Sequence, residues 1–351
     1  MNPQQGKSAK RPVKTMLTRH VYFLLSVVIA SALAVPPLVA LFRISYRSDY
    51  YSHIPLIPLV SVYLLYQQRK TLFDDAEYGL RWGSLVAAAG LFLYAAGMWN
   101  PGLNLHDASS LMVFSSLLFL FGSIVLLYGT RVFRRSIFPL LFLLFMVPIP
   151  SGLMDRIIYF LQVGSAEVTD MIFKATGIPY LREGLVFHLP GFSIEVAKEC
   201  SGIRSSLALV ITATLAGHFL LQAYWQKAVL TLSLLPIVLI KNGIRISVLT
   251  FLGAYVDLRI LTQGFLHKSG GVFFFIPALG LMGIIICLLR RLDRDSTLNC
   301  HNAKSLESIK LGGSAHLAAD NGQSAVPSAP SALPPTPCAM PYAPSAKSAD
   351  S

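Results

Sequence analysis

The run LMVFSSLLFLFGSIVLLY, Leu111–Tyr128, contains no charged residue. A helix crossing about 30 Å of hydrocarbon needs about 20 mostly apolar residues, so this run reads as a membrane span. Working outward, comparable runs recur at Val21–Phe42, His53–Tyr66, Gly83–Met98, Ser136–Val147, Ser206–Leu221, Ala228–Ile240 extending to Val256, and Gly270–Leu289. The shorter ones need flanking residues to complete the crossing. The expected fold class is an all-α membrane protein of about eight transmembrane helices. Composition agrees: the 351 residues are 54% hydrophobic and only 13% charged, with a mean hydropathy of +0.59. A soluble domain carries about 25% charged residues.

A net charge of +12 invites a nucleic-acid reading, but the placement of the charges argues against it. Lys7, Lys10, Arg11, Lys14 and Arg19 precede the first run, and Arg69, Lys70 and Arg81 lie between the second and third. Arg131, Arg134 and Arg135 follow the fourth, and Arg290, Arg291 and Arg294 follow the last. With an even number of spans all of these fall on the cytoplasmic face, as the positive-inside rule prefers. The loop Trp99–Leu111 has no Lys or Arg and falls outside; Arg43 and Arg47 run against the trend. Membrane lipid is therefore the expected partner, with no nucleic acid. Ala32-Leu33-Ala34 offers a signal-peptide reading of the N-terminus, but the apolar run continues to Phe42, which favours an uncleaved anchor.

The expected organisation is a basic cytoplasmic arm over 1–20, a polytopic membrane domain over 21–292, and a disordered cytoplasmic tail over 293–351. That tail becomes dominated by Ala, Pro and Ser, a composition unable to form a packed core. Within the membrane domain, Pro148–Glu199 is the longest outward segment. Met154–Phe173 mixes Ile157, Ile158, Leu161, Val168, Ile172 and Phe173 with Asp155, Arg156, Glu167 and Asp170. This fits an outward-facing amphipathic helix in the interface; a further span is the alternative, made costly by the charges. Leu185–Leu189, Pro190-Gly191 and Ser193–Ala197 read as a β-hairpin with a type II turn that delivers the chain to Cys200.

Cys200 stands in Glu199-Cys200-Ser201-Gly202-Ile203-Arg204, at the junction between this polar segment and an apolar run. A cysteine in a membrane protein is commonly a packing residue, but these neighbours give it little to pack on. Cys287 lies within the last run, and Cys300 and Cys338 lie in the tail, so a free thiol at Cys200 is expected. A helix start lowers a thiol's pKa and offers N–H groups to an oxyanion, and Lys198 and Arg204 add positive charge. Arg245 and Lys241, four apart in an otherwise apolar run, share a helix face with Asn242 and call for an anionic or carbonyl-rich partner. Snorkelling to the interface is their bland reading. His267 stands at the outer entrance of the last run. If the helices alternate in direction, Cys200, Arg245 and His267 converge on one side of the membrane as parts of a thiol-dependent acyl-transfer site. His53 stands at the outer mouth of the second run, before Pro55 and Pro58. No nucleotide-binding loop or zinc-ligand spacing stands out, so neither cofactor nor metal is expected.

These residues resemble the exosortase/archaeosortase family, multipass membrane enzymes related in function but not in fold to the soluble sortases. The resemblance runs from about Ser52 to Leu289. It is strongest from Gly177-Ile178-Pro179 through Arg182, Gly184, Leu189-Pro190-Gly191 and Val196 to Cys200–Arg204, followed in order by Asn242, Arg245 and His267. His53–Tyr66 with Arg69, and Pro148 with Pro150, also fit. The resemblance implies a cysteine peptidase/transpeptidase of the cell inner membrane, with its site on the periplasmic side. Its partners would be exported proteins ending in a short motif (Pro-Glu-Pro in the bacterial type), a transmembrane helix and a basic cluster. The cleaved protein would be released or passed to a cell-surface acceptor, often alongside exopolysaccharide production. Cys200, Arg245 and His267 are the expected catalytic residues, supported by Asn242, Arg204, Lys241 and His53. Simple hydrolysis uses the same residues. A polysaccharide transporter or assembly subunit, with Lys241 and Arg245 lining an anionic path, is the reading from another class.

Overall fold

A computed structural model describes residues 13–44, 51, 53–73, 76–255 and 273–292. The protein is predominantly helical, and the chain divides into two compact units, Met1–Phe160 and Leu161–Ser351.

The first unit is built from α1 (Val13–Ile44), α2 (Leu56–Gln67), the single turn α3 (Arg69–Leu72), α4 (Leu80–Trp99), α5 (Leu105–Arg135), α6 (Ile137–Phe142) and a 3-10 turn over Leu143–Met146. The helix α7 (Ser151–Thr176) begins here and continues into the second unit. Packing of α4 on α5 is set by glycines at heptad spacing. A Cβ on Gly83 would lie 2.3 Å from Leu126 N, and one on Gly90 would lie 2.6 Å from Phe119 N. Gly97 meets Met112. The partner number falls as the α4 number rises, so the two helices run antiparallel with their backbones in close approach, the usual solution where lipid removes the hydrophobic drive between helices. On α5, the buried Ser109, Ser115 and Ser123 return their hydroxyls to carbonyls four residues back, which satisfies them inside their own helix. A kink in α5 falls at Gly129 (φ 85°), where the Glu77 backbone inserts and its N–H bonds to Tyr128 O at 3.1 Å.

At the other end of α5, Asn104 caps the helix by accepting from Asp107 N at 2.7 Å. Asp107 in turn accepts from the N–H and hydroxyl of Ser151, at 2.6 and 2.7 Å, and thereby holds the start of α7. His106 Nε2 bonds to Tyr51 OH in the same group, a set of contacts that no spacing in the sequence announces.

The second unit continues α7 into a three-stranded antiparallel sheet, then a 3-10 turn over Lys198–Ser201, α8 (Ile203–Leu220), α9 (Tyr224–Tyr255) and α10 (Phe273–Leu292). The strands are β1 (Leu181–Glu183), β2 (Val186–Leu189) and β3 (Phe192–Glu195) in sequential order. The expected hairpin is β2–β3, with Gly191 at φ 95° in its turn. The additional strand β1 escapes notice because it has only three residues, with Leu181 exposed.

Among the described residues six helices are long and apolar enough to cross a membrane: α1, α4, α5, α8, α9 and α10. The α6 segment and α7, bent by 87° at their break, make a seventh if they form one broken span. The expected eight is not reached among the described residues. The run His53–Tyr66 forms the 12-residue α2, about 18 Å long at 1.5 Å per residue. The run Ser136–Val147 breaks up before Pro148 and Pro150, as prolines disfavour helix in the residue before them.

Candidate active site

The approach to Cys200 is anchored from below by the sheet. Phe187, Leu189 and Val196 bury against Ala166 and Phe173 of α7 and Ile246 of α9. At the sheet edge, Arg182 Nη2 donates to Glu167 Oε1 at 2.7 Å, which holds its guanidinium more firmly charged than usual. Tyr180 OH donates to Asp170 Oδ1 at 2.7 Å, and burial, followed by this bond, raises its pKa. These contacts tie the β1 end of the sheet to α7, and Gln162 Nε2 of α7 donates to Val196 O at 2.6 Å just past β3.

From Val196 the chain enters the 3-10 turn Lys198–Ser201, whose third residue is Cys200. The sequence reading put Cys200 at the start of a helix; the backbone places it in a separate tight turn, three residues ahead of Ile203. Gly202 separates the two in the left-handed conformation, φ 73°, which permits a sharp change of direction at low cost only for glycine. Its carbonyl then starts α8 by accepting from Ser206 N at 3.0 Å and Ser206 Oγ at 2.8 Å.

Gly202 is also where this turn meets α9. A Cβ there would lie 2.8 Å from Asn242 Oδ1. Asn242 is fully buried, and its Nδ2 donates to Ser165 Oγ of α7 at 2.9 Å. Beside it, a Cβ on Gly243 would lie 2.5 Å from Val168, and Thr169 Oγ1 reaches Gly243 O at 3.4 Å. Asn242 and Gly243 therefore wedge α9 between α7 and the Cys200 turn. Lys241, 8% exposed, donates from Nζ to Ser205 Oγ in the first turn of α8. Arg245 follows Asn242 by three residues; it is half-buried, and its Nε has no hydrogen-bond partner among the described residues.

The structure thus seats the turn that carries Cys200 on Asn242 of α9, with Lys241 beside Asn242 and Arg245 on the next turn of the same helix. Arg204 lies exposed at the start of α8. His53 is half-buried in a turn ahead of α2, in the first unit. His267 and the side chain of Cys200 lie outside the described residues. Ser165, Ser205 and Gln162, which hold the site together, were missed in the sequence: isolated polar residues on otherwise apolar helices carry no spacing signal.

Many apolar helices and a cysteine-bearing turn seated on a buried polar stretch of a membrane helix define a polytopic membrane protein with a candidate thiol site. Residues 45–284 match the transmembrane exosortase family, and the chain belongs to that family. Searches of curated proteins and of solved structures find no match.

Proposed function

We propose that this chain is a membrane cysteine peptidase/transpeptidase that cleaves C-terminal sorting signals of the Pro-Glu-Pro type from exported proteins at the outer face of the cell inner membrane. Family membership supports a membrane sorting role in general. The observation that carries the finer reading is the seating of Gly202 on Asn242, which holds a cysteine turn against the helix that bears Arg245.

In this reading the Cys200 thiolate attacks the scissile carbonyl and the peptide C–N bond breaks, leaving a thioester. His267 protonates the departing amine, then deprotonates the incoming acceptor, whose attack frees the thiol again. Arg245 stabilises the oxyanion with a guanidinium that still has a donor to give. The acceptor is water or a cell-surface group. Asn242 and Arg204 position the site, and no metal or cofactor enters the scheme.

The test is expression of the wild type and Cys200→Ala in the native host, followed by the C-terminal mass of a secreted protein ending in motif, helix and basic cluster. Processing lost only in the variant supports the thiol enzyme, and the wild-type product mass identifies any acceptor. The buried Lys241 and the half-buried Arg245 favour a second reading, an assembly or transport subunit for anionic surface polysaccharide. That reading requires the basic residues and tolerates Cys200→Ser.

A further inference from the structure

Lys241 has no task in the chemistry just described, yet it carries a charge within a membrane helix at 8% exposure. Its one hydrogen bond among the described residues, to Ser205 Oγ, supplies a dipole and no counter-charge. Arg245, four residues on, shares its face and adds a second positive charge. Among the described residues no acidic side chain pairs with either: the ion pairs of this unit join Lys174, Arg182 and His188 to Asp170, Glu167 and Glu183 around the sheet. Buried cations are retained where an anion completes them.

The position of that anion follows from Ser205. It lies in the first turn of α8, and its hydroxyl also donates to Gly202 O at 3.0 Å. A group meeting Lys241 Nζ there is beside the turn that carries Cys200. We infer that Lys241 is a specificity-determining residue, whose ammonium receives an acidic side chain of the peptide presented to Cys200. This rests on the peptidase reading above. An ammonium is a compact point charge whose three N–H donors meet a carboxylate from a range of directions, so Lys241 suits a side chain arriving on a flexible peptide. A phosphate from a lipid headgroup has similar chemistry, but the link through Ser205 to the Cys200 turn favours the peptide.

The experiment measures binding of two synthetic peptides, containing Pro-Glu-Pro and Pro-Gln-Pro, to the full-length Cys200→Ala protein in nanodiscs. The expected result is a preference of at least about tenfold for the acidic peptide, abolished by Lys241→Met and retained by Lys241→Arg. Lys241→Gln, which keeps a polar partner for Ser205, serves as a second neutral variant and is expected to behave as Lys241→Met does. Preference surviving in the neutral variants, or an equal loss of affinity for both peptides, overturns the inference. If phosphatidylglycerol nanodiscs weaken acidic-peptide binding relative to phosphatidylcholine only when Lys241 is present, the site belongs to a lipid phosphate, and the peptide assignment falls. Wild-type cleavage of both peptides at equal rates, with no binding preference, sinks the inference alone. No binding and no cleavage of either peptide sinks the peptidase reading itself.

Discussion

Gly202 carries two constraints at once: a left-handed backbone and contact with Asn242. Gly202→Ala therefore meets about 1–2 kcal/mol of backbone strain and an overlap with the Asn242 amide as well. The expected outcome is a lower unfolding midpoint in detergent and loss of processing. Asn242→Ser should recover part of the stability by relieving the overlap, while the backbone strain remains. Arg245 makes a different prediction. Arg245→Lys retains the charge and loses the directional guanidinium, so turnover should drop by on the order of 100-fold with little change in expression. Near-wild-type turnover would show that a charge alone suffices there and remove the oxyanion role. The types of these residues were legible in the sequence because a cysteine, an arginine and an asparagine are conspicuous in or beside apolar runs. Gly202 was legible only as part of a motif, since the need for it comes from a side chain forty residues away in the chain.

The α4–α5 pair shows how an element depends on residues without side chains. Gly83, Gly90 and Gly97 recur every seven residues on the face that α5 covers, so bulk at the middle position must part the helices. Gly90→Leu should cost about 1–3 kcal/mol as overpacking, read as a lower midpoint of thermal aggregation in micelles. The same substitution at Gly280 of α10, where a Cβ meets nothing within 4 Å, should be nearly neutral. Equal effects at the two sites would mean that helix propensity, not packing, governs α4. Spans such as α5 were legible as apolar runs. The breakup of the segment before α7 was less so, because hydropathy summed along a run ignores the prolines that end its helix.

At the scale of the whole molecule, charge placement predicts the basic segments inside and the loop Trp99–Leu111 outside, which requires the 12-residue α2 to count as a crossing; thiol labelling tests that topology directly. In a background with the native cysteines replaced by alanine, a cysteine at Gly102 should react with a membrane-impermeant maleimide in intact cells. One at Arg131 should react only after lysis. The reverse pattern would turn the proposed site to the cytoplasm and separate it from exported substrates.

The amino-acid sequence by itself determined that this is a multi-pass membrane protein of the exosortase family, because hydropathy, charge asymmetry and an ordered motif are local properties of the chain. It also located the segment that leads through a hairpin to Cys200, since alternation and a Pro-Gly turn are local as well. Only the tertiary structure decided that Cys200 lies in a 3-10 turn of its own, that Gly202 rests on Asn242, and that Lys241 finds Ser205 and no acid among the described residues. Those facts arise where α7, α8 and α9 meet, and contacts between helices distant in sequence leave no period in any one of them.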